Sequence, residues 1–385
     1  MSNTNTMIFT LTAELKEVLN LFAREAGKNK TGSAYPEAVL ASGNILSAAN
    51  GAIMLRYQLG EDETGLMPTV FEKPVLIPIK GIRAIIDANI GTEITIAATR
   101  SAITIAKSKK KSGKIELSAL DASTFPEFGK FDFAGIDKVQ VGDFDDAVSA
   151  TRISIADTNP KPIYTGLFFQ SDGEFLSFSA IDGHRASVVK LPYKTEETFK
   201  VSIPKTCLET VLAAISKRDS NDTLSIVRSK DNRHAAFFVG SRLVIQTRLL
   251  DGEPVDVSTF FKEGLHNVKL NRTELLGVLK SIAVVKEDIH LAVALTFKFD
   301  DKEVALSYKG NSVSVNDCVS ITTEEENSEP VRIGVNIQYL TDALKAINSQ
   351  QVEFSFNSPV APITLKDTDE NTDNKQLVVP VRLSD

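Results

Sequence analysis

The sequence contains no tryptophan, only two cysteines and only four histidines, and it has no long apolar run. Cys207 and Cys318 lie far apart in the sequence, which suits a reducing compartment, and we expect both to be small buried side chains. No stretch approaches the roughly 20 apolar residues that span a bilayer. The first seven residues lack the basic and apolar regions of a secretion signal. We therefore expect a cytoplasmic protein with no membrane partner.

Motifs that carry catalytic chemistry are also absent. There is no phosphate-binding glycine loop, no nucleophile elbow and no Cys-x-x-Cys pair. His234, His266 and His290 show no metal-ligand spacing. The one segment that looks like a catalytic signature is Ala180-Ile181-Asp182-Gly183-His184-Arg185, which ends an apolar run. A hydrolase that uses Asp182 and His184 stays open as an alternative. Asp182 is more simply a turn residue, and we predict no catalytic residue, no metal and no cofactor.

The net charge is the wrong sign for a simple nucleic-acid-binding protein. The chain has 43 basic and 50 acidic residues, a formal charge of −7. Phosphate neutralisation requires Lys and Arg, so the average charge argues against DNA as a partner. This argument does not hold if the basic and acidic residues lie on different faces of the protein. Whether DNA can be a partner therefore depends on where the basic residues lie.

The length of 385 residues and the 42% hydrophobic content predict two or three globular domains. Apolar residues at helical spacing begin near positions 11, 142 and 270, a period of about 130 residues. A second helical series begins at Pro78, Pro204 and Asn336, which are residues typical of helix starts. Strand signals lie between the helices, at 92–98, 102–107 and 114–120, at 223–227, 234–239 and 243–248, and at 352–356, 363–366 and 377–382.

Three further strands match one another, at 45–50, 175–182 and 305–311, and each ends in a polar turn. Only the middle copy carries Gly-His-Arg, which indicates a function added to a repeat. The polar stretch 367–375 is best interpreted as a solvated loop. We predict an α+β fold of three similar domains, at 1–136, 137–262 and 263–385, each made of two helix-plus-β-meander halves.

Four motifs on this repeat carry a resemblance to a known family. Residues 180–185 are similar to its Ala-Thr-Asp-Gly-His-Arg, and Val379-Pro380-Val381-Arg382-Leu383 is similar to its Met-Pro-Met-Arg-Leu. Residues 247–252 and 120–126 resemble segments at its domain ends. From Met7 to Leu383 the chain resembles the bacterial sliding clamps, the beta subunits of DNA polymerase III. The resemblance implies a DNA clamp fold in which two chains form a head-to-tail ring, helices line its hole and the ring encircles double-stranded DNA.

The family also implies protein partners: the DNA polymerase III catalytic subunit within its exonuclease-containing complex, the clamp loader and other clamp-motif proteins. These dock an extended peptide in an apolar cleft. The matching positions here are Tyr164, Ile181, Gly183, His184, Arg185, Ala186, Val255, Thr259, Phe260, Tyr339, Pro362, Val379, Pro380, Val381 and Arg382. Thr259, Ala186 and Val379 depart from the family's Arg, Leu and Met, so the preferred peptide stays open.

Basic residues on the predicted inner helices would contact DNA without sequence preference. They are Arg24, Lys28, Lys30, Lys80, Arg83, Arg152, Lys205, Lys217 and Lys280. Ile282, Val284 and Val285 match the family's dimer interface, so the resemblance implies a homodimer. The alternative is a β-rich peptide-binding scaffold that never encircles DNA.

Overall fold

The structure is a computed structural model that describes residues 5–29, 36–62, 64–107, 113–127, 132–195, 197–285, 292–325, 329–369 and 373–383. Its helices are α1 (Ala13–Ala26), α2 (Ile79–Ile86), α3 (Val141–Thr151), α4 (Lys205–Ile215), α5 (Arg272–Val285) and α6 (Ile337–Lys345). All of them begin close to the predicted positions. The mixed helix-and-strand fold class is thereby confirmed.

The strands alternate with these helices in the repeating order that the sequence predicts. The first eight are β1 (Asn5–Thr10), β2 (Ala38–Gly43), β3 (Ile45–Ala49), β4 (Ile53–Gln58), β5 (Phe71–Pro78), β6 (Glu93–Ala98), β7 (Ala102–Lys107) and β8 (Lys114–Ser118). The next eight are β9 (Phe133–Gln140), β10 (Gly166–Ser171), β11 (Phe175–Ile181), β12 (Arg185–Pro192), β13 (Phe199–Pro204), β14 (Thr223–Ser229), β15 (His234–Val239) and β16 (Leu243–Arg248). The last are β17 (His266–Asn271), β18 (Ala292–Lys298), β19 (Glu303–Lys309), β20 (Ser314–Thr322), β21 (Val331–Asn336), β22 (Gln351–Phe356), β23 (Ile363–Asp367) and β24 (Asp373–Val378).

Side-chain caps mark the starts of α1 and α6. The Leu15 N–H donates to Thr12 Oγ1 at 3.1 Å at the start of α1. Asn336 Oδ1 accepts the N–H groups of Gln338 at 2.9 Å and Tyr339 at 3.3 Å at the start of α6. These caps satisfy backbone donors that the first helical turn leaves unpaired.

The chain divides into two compact units, each built from two segments. The first unit comprises Met1–Phe144 and Thr206–Leu249. It contains an antiparallel four-stranded sheet in the order β1-β6-β7-β8 and an eight-stranded sheet in the order β5-β2-β3-β4-β16-β15-β14-β9. Strands β4 and β16 join the two halves of the larger sheet. Helix α1 buries Leu15, Leu19 and Phe22 against this unit's core.

The second unit comprises Asp145–Lys205 and Leu250–Asp385. Its twelve strands follow the order β13-β10-β11-β12-β24-β23-β22-β17-β20-β19-β18-β21. Strands β12 and β24 join two halves of this sheet, with Arg185 opposite Val378 and Ser187 opposite Gln376. The predicted central domain contributes to both units, and the division at 136 and 262 stays a prediction.

The last strand corrects two sequence predictions. The predicted strand at 377–382 is placed too late in the sequence, because β24 runs from Asp373 to Val378 and contains only residues 377 and 378 of that prediction. Residues 373–375 of the same strand belong to the segment that we interpreted as a solvated loop. Asn374 and Gln376 are buried in this strand. Hydrogen bonds offset the cost of burying their amides: Asn374 Nδ2 donates to the Ala346 carbonyl at 2.5 Å, and Gln376 Oε1 accepts the Ser187 hydroxyl at 2.5 Å. Buried amides with partners do not show in an apolar pattern.

The polar turns of the repeat have the same construction in both units. Asn50 Oδ1 accepts the N–H groups of Ala52 at 2.8 Å and Ile53 at 2.9 Å. Asp182 Oδ1 accepts those of His184 and Arg185, both at 2.9 Å. Such side-chain acceptors are typical of turns. The Asp182 segment is therefore one copy of a structural turn.

Candidate partner-binding site

The candidate pocket lies within the second unit and begins with an apolar cluster. Tyr164, Ile181, Val255 and Val379 are partly buried and pack on a core that includes Ala186. The structure thus brings together five of the residues that the resemblance singles out. Ile163, Phe168, Val257, Phe261 and Leu377 complete the cluster, and sequence reasoning missed them.

Arg185 forms the polar side of this site. Its Nε lies 3.0 Å from Asp182 Oδ2, and its Nη1 lies 2.9 Å from Asp342 Oδ2 on α6. The side chains of the three residues are between 13% and 23% exposed, so the ion pairs are shielded from water. The two carboxylates fix the guanidinium in one orientation, because each binds a different edge of the fork.

His184 and Tyr339 face each other beside Arg185. Their ring centroids are 6.0 Å apart with an interplanar angle of 23°, and the Arg185 Cζ lies 4.5 Å from the Tyr339 ring centroid. The Val379 N–H donates to the His184 carbonyl at 2.9 Å, which connects this polar group to the apolar cluster. An apolar wall with a few fixed polar groups is the composition expected of a pocket for an extended peptide.

The tail after β24 runs from the apolar cluster at Val379 to strand β21. The Val381 N–H donates to the Gly334 carbonyl on β21 at 2.8 Å. A Cβ on Gly334 would collide with the Val381 carbonyl and would lie 2.8 Å from Leu383 Cγ. Glycine at 334 therefore allows the tail to lie against β21.

Several predicted pocket residues are more exposed than the cluster. They are Gly183, His184, Thr259, Phe260, Pro362, Val381 and Arg382. Phe260 is 50% exposed, while its neighbour Phe261 packs on the cluster. Their direct contact with a partner stays a prediction.

Comparison with a similar turn in the first unit shows why Phe260 is exposed and Phe261 is packed. Asp121 and Asp256 each cap a short 3₁₀ turn, Ala122–Thr124 and Val257–Phe260 respectively. The second turn is one residue longer, so Phe261, not Phe260, takes the capping position that Phe125 has in the first. Phe260 is thus the additional residue, and its ring is left at the surface.

The geometry around Asp182 disfavours the hydrolase alternative. Its Oδ1 accepts two backbone N–H groups and its Oδ2 binds Arg185. A general base would instead need the carboxylate to orient the His184 imidazole. Asp182 thus has structural partners that account for it as a turn residue, and His184 stays a predicted pocket residue.

The predicted DNA-facing cations lie on or next to helices. Lys80, Arg83, Arg152, Lys217 and Lys280 are exposed. Lys30 lies outside the described residues. Arg24 and Lys28 contact Glu25, Lys217 lies 2.7 Å from Glu17, and Lys205 lies 2.6 Å from Asp157. The hydrogen bond from Lys205 lowers the pKa of the Asp157 carboxyl.

The burial of Ile282 corrects the prediction that it lies at the dimer interface. Ile282 is 0% exposed and belongs to the core under α5 and α6, so it has no surface to offer a partner. Val284 is 79% and Val285 is 38% exposed, so both can face a second chain. The expectation for the cysteines is wrong for one of them: Cys207 is buried, whereas Cys318 on β20 is exposed.

The fold and this site define a DNA clamp-type repeat protein. Two family models match it: the central domain of the DNA polymerase III beta subunit over residues 138–254 and the C-terminal domain over residues 258–382. The chain belongs to the DNA polymerase III beta subunit family, the beta sliding clamps.

Curated relatives and solved structures agree with this assignment. A beta sliding clamp of Rickettsia bellii is 26% identical over 351 residues, 88% of each chain, and one of Streptococcus pneumoniae is 30% identical over 247 residues, 61% of each chain. A crystal structure of the Bacillus subtilis DNA polymerase sliding clamp has a TM-score of 0.86 at 18% identity and covers 99% of this chain and 100% of that one. Among the helices of the described segments, none is long and apolar enough to cross a lipid bilayer.

Proposed function

We propose that this protein is a DNA sliding clamp: two copies close into a ring that encircles duplex DNA and tethers the replicative polymerase to it. It acts in the cytoplasm as a non-catalytic processivity subunit. Its family membership supports the general role. The closed ring is proposed from the way in which the sheets of successive repeats are joined.

Successive repeats are joined at two places by equivalent pairs of strands. At the first, β4 pairs with β16, with Leu55 opposite Ile245. At the second, β12 pairs with β24, with Ser187 opposite Gln376. In both cases the third strand after the first helix of one repeat pairs with the last strand of the next repeat.

Applying this rule to the remaining strands leaves one pair. In the last repeat the third strand after the first helix is β20, which pairs with β19 and touches β17 only at Ile321 and Thr322. The last strand of the first repeat is β8, whose ladder within the described residues is with β7. Unpaired strand edges are suited to association with another chain. Pairing of β20 in one copy with β8 in another, twice, gives a closed head-to-tail dimer.

The cations on the helices supply weak, sequence-independent contact with DNA. Lys80 and Arg83 on α2 and Lys280 on α5 are exposed. Topological enclosure provides the retention, so phosphate contacts can stay few, which permits sliding. This reconciles duplex DNA with the net charge of −7.

The pocket around Tyr164, Val379 and Arg185 is the docking site for partners. An extended peptide places apolar side chains on the cluster, and the fixed polar group of Arg185, His184 and Tyr339 orients it. The polymerase III catalytic subunit, the clamp loader and other clamp-motif proteins are the proposed ligands.

Retention on circular DNA tests the proposal. The protein is loaded onto nicked circular DNA by a matching clamp loader, purified by gel filtration and then exposed to a restriction enzyme that linearises the circle. We expect retention on the circle and loss after linearisation. Equal retention on both forms, or none on the circle, would refute enclosure and favour the peptide-binding scaffold.

A further inference from the structure

Glu25, in the last turn of α1, is a completely buried carboxylate between two cations. It is 0% exposed. Its Oε1 lies 2.7 Å from Arg24 Nε and its Oε2 lies 2.7 Å from Lys28 Nζ. The two basic side chains remain 42% and 46% exposed. One buried negative charge therefore contacts two cations that reach the surface.

The remaining hydrogen bonds hold this carboxylate in place. Asn50 Nδ2 donates to Oε2 at 3.0 Å and the Thr210 hydroxyl donates to Oε1 at 3.1 Å. Arg24 Nη2 in turn donates to Thr210 Oγ1 at 3.3 Å. A buried carboxylate is tolerated only with such a full set of partners. Because Glu25 is fixed, it fixes the positions of Arg24 and Lys28.

The arrangement also limits the charge that these cations present. Arg24 and Lys28 carry two positive charges and Glu25 removes one of them at contact distance. A phosphate approaching Lys28 therefore meets a field reduced by a carboxylate that salt screens little, since it is buried. Two further candidate DNA contacts have acidic partners, Lys217 with Glu17 and Lys205 with Asp157.

We propose that Glu25 is a positioning residue that sets the strength of the contact between α1 and DNA: it orients Arg24 and Lys28 and offsets part of their charge, so that the ring holds phosphate weakly enough to slide. This inference rests on the proposed function. A stronger cation pair would release more counterions on binding and would hold DNA more tightly.

The test is Glu25→Gln, which keeps the shape of the side chain and removes its charge. Binding to a short linear random-sequence duplex, which can thread through a closed ring, is measured by fluorescence anisotropy between 50 and 200 mM NaCl, a range of about fourfold in salt. We expect affinity at low salt to rise about threefold to tenfold and the slope of log K against log salt to steepen by about 0.9. The matched control is Glu72→Gln on β5, which alters the net charge equally at an exposed position.

Lys28→Gln keeps the proposal falsifiable if Glu25→Gln fails to fold. In the otherwise unchanged protein, Lys28→Gln leaves Glu25 to offset Arg24 alone, so the slope should flatten by about 0.9. In the Glu25→Gln background the same substitution should return the slope to about that of the unsubstituted protein, because one cation remains and no carboxylate offsets it. A side chain that only stabilises the fold would not let the two substitutions cancel in this way.

Several results would overturn the inference. They are an unchanged or flatter slope in Glu25→Gln, a slope in that variant equal to that of Glu72→Gln, or an unchanged slope in Lys28→Gln. Failure of the ring is distinguished by the linearisation experiment on the unsubstituted protein. If the unsubstituted protein is retained on circles and the slopes do not change, only the role of Glu25 is wrong.

Discussion

Arg185 and Asp342 are 157 positions apart in the sequence and form an ion pair of 2.9 Å in the candidate pocket. Asp342 holds the guanidinium whose Cζ lies 4.5 Å from the Tyr339 ring centroid. The pair thus connects a strand end to a helix at the site where a partner peptide is proposed to bind.

Asp342→Asn should weaken partner binding. Loss of one charged partner leaves the shielded guanidinium of Arg185 less firmly oriented, and we expect the Kd for the extended clamp-binding peptide of a partner protein to rise about tenfold, or about 1.4 kcal/mol. Isothermal titration calorimetry measures this. Glu209→Gln, at an exposed position of α4, serves as the control. An unchanged Kd for Asp342→Asn would show that the ion pair does not contribute to the pocket.

Ile282 and Val284 should respond in opposite ways to substitution. Ile282→Ala creates a cavity in the core and should lower the free energy of unfolding by about 2–4 kcal/mol. Val284→Asp, at a residue that is 79% exposed, should leave the unfolding of the single chain within about 0.5 kcal/mol and shift the dimer towards monomer. Denaturant titration and analytical ultracentrifugation separate the two effects. A Val284→Asp protein that stays dimeric at low concentration would remove this residue from the interface.

The two cysteines should differ in reactivity. Burial raises the pKa of the Cys207 thiol to about 12, so it stays protonated at pH 8 and is shielded from reagent. Cys318 is exposed on β20. Titration with Ellman's reagent should modify one thiol in the folded protein and both in denaturant. Since β20 is a proposed dimer edge, labelling of Cys318 should slow as protein concentration rises; a constant rate would contradict that use of the edge.

Asp62 should contribute to the stability of the first unit in a defined pH range. Hydrogen bonds from the Thr64 and Thr10 hydroxyls and the Leu66 N–H lower the pKa of its carboxyl from 3.8 to about 2. A group with a depressed pKa in the folded state stabilises it above the unfolded value, and this stabilisation is lost as the pH falls from about 4 through 2. Asp62→Asn should therefore flatten the dependence of thermal stability on pH in that range. An identical dependence in both proteins would show that these hydrogen bonds do not persist in solution.

The periodic parts of the fold were predictable from the sequence. The strands at 102–107, 234–239 and 243–248 lie where alternation places them, as β7, β15 and β16. Helix α6 begins just after Asn336 because that side chain caps it. In each case local chemistry and the burial pattern agree, so local evidence is sufficient.

The remainder depends on contacts between distant residues. Asn374 was predicted to lie in a loop because a polar side chain in the sequence does not show whether it is buried. Its hydrogen bond to the Ala346 carbonyl, 28 residues away in the sequence, explains how it can be buried in a strand. The five apolar pocket residues followed from the family resemblance, whereas Asp342 did not. Its position one helical turn after Tyr339, on the same face of α6, is the signal that could have identified it.

Gly334 determines how closely the tail that follows β24 can approach β21. The glycine lies under the tail that carries Val379 and Pro380, and any side chain there would displace the Val381 carbonyl. A lineage under selection to change its partners could therefore do so by a substitution at Gly334, which lies outside the candidate pocket. Surveys of natural variation that inspect only the pocket walls would overlook such adaptation.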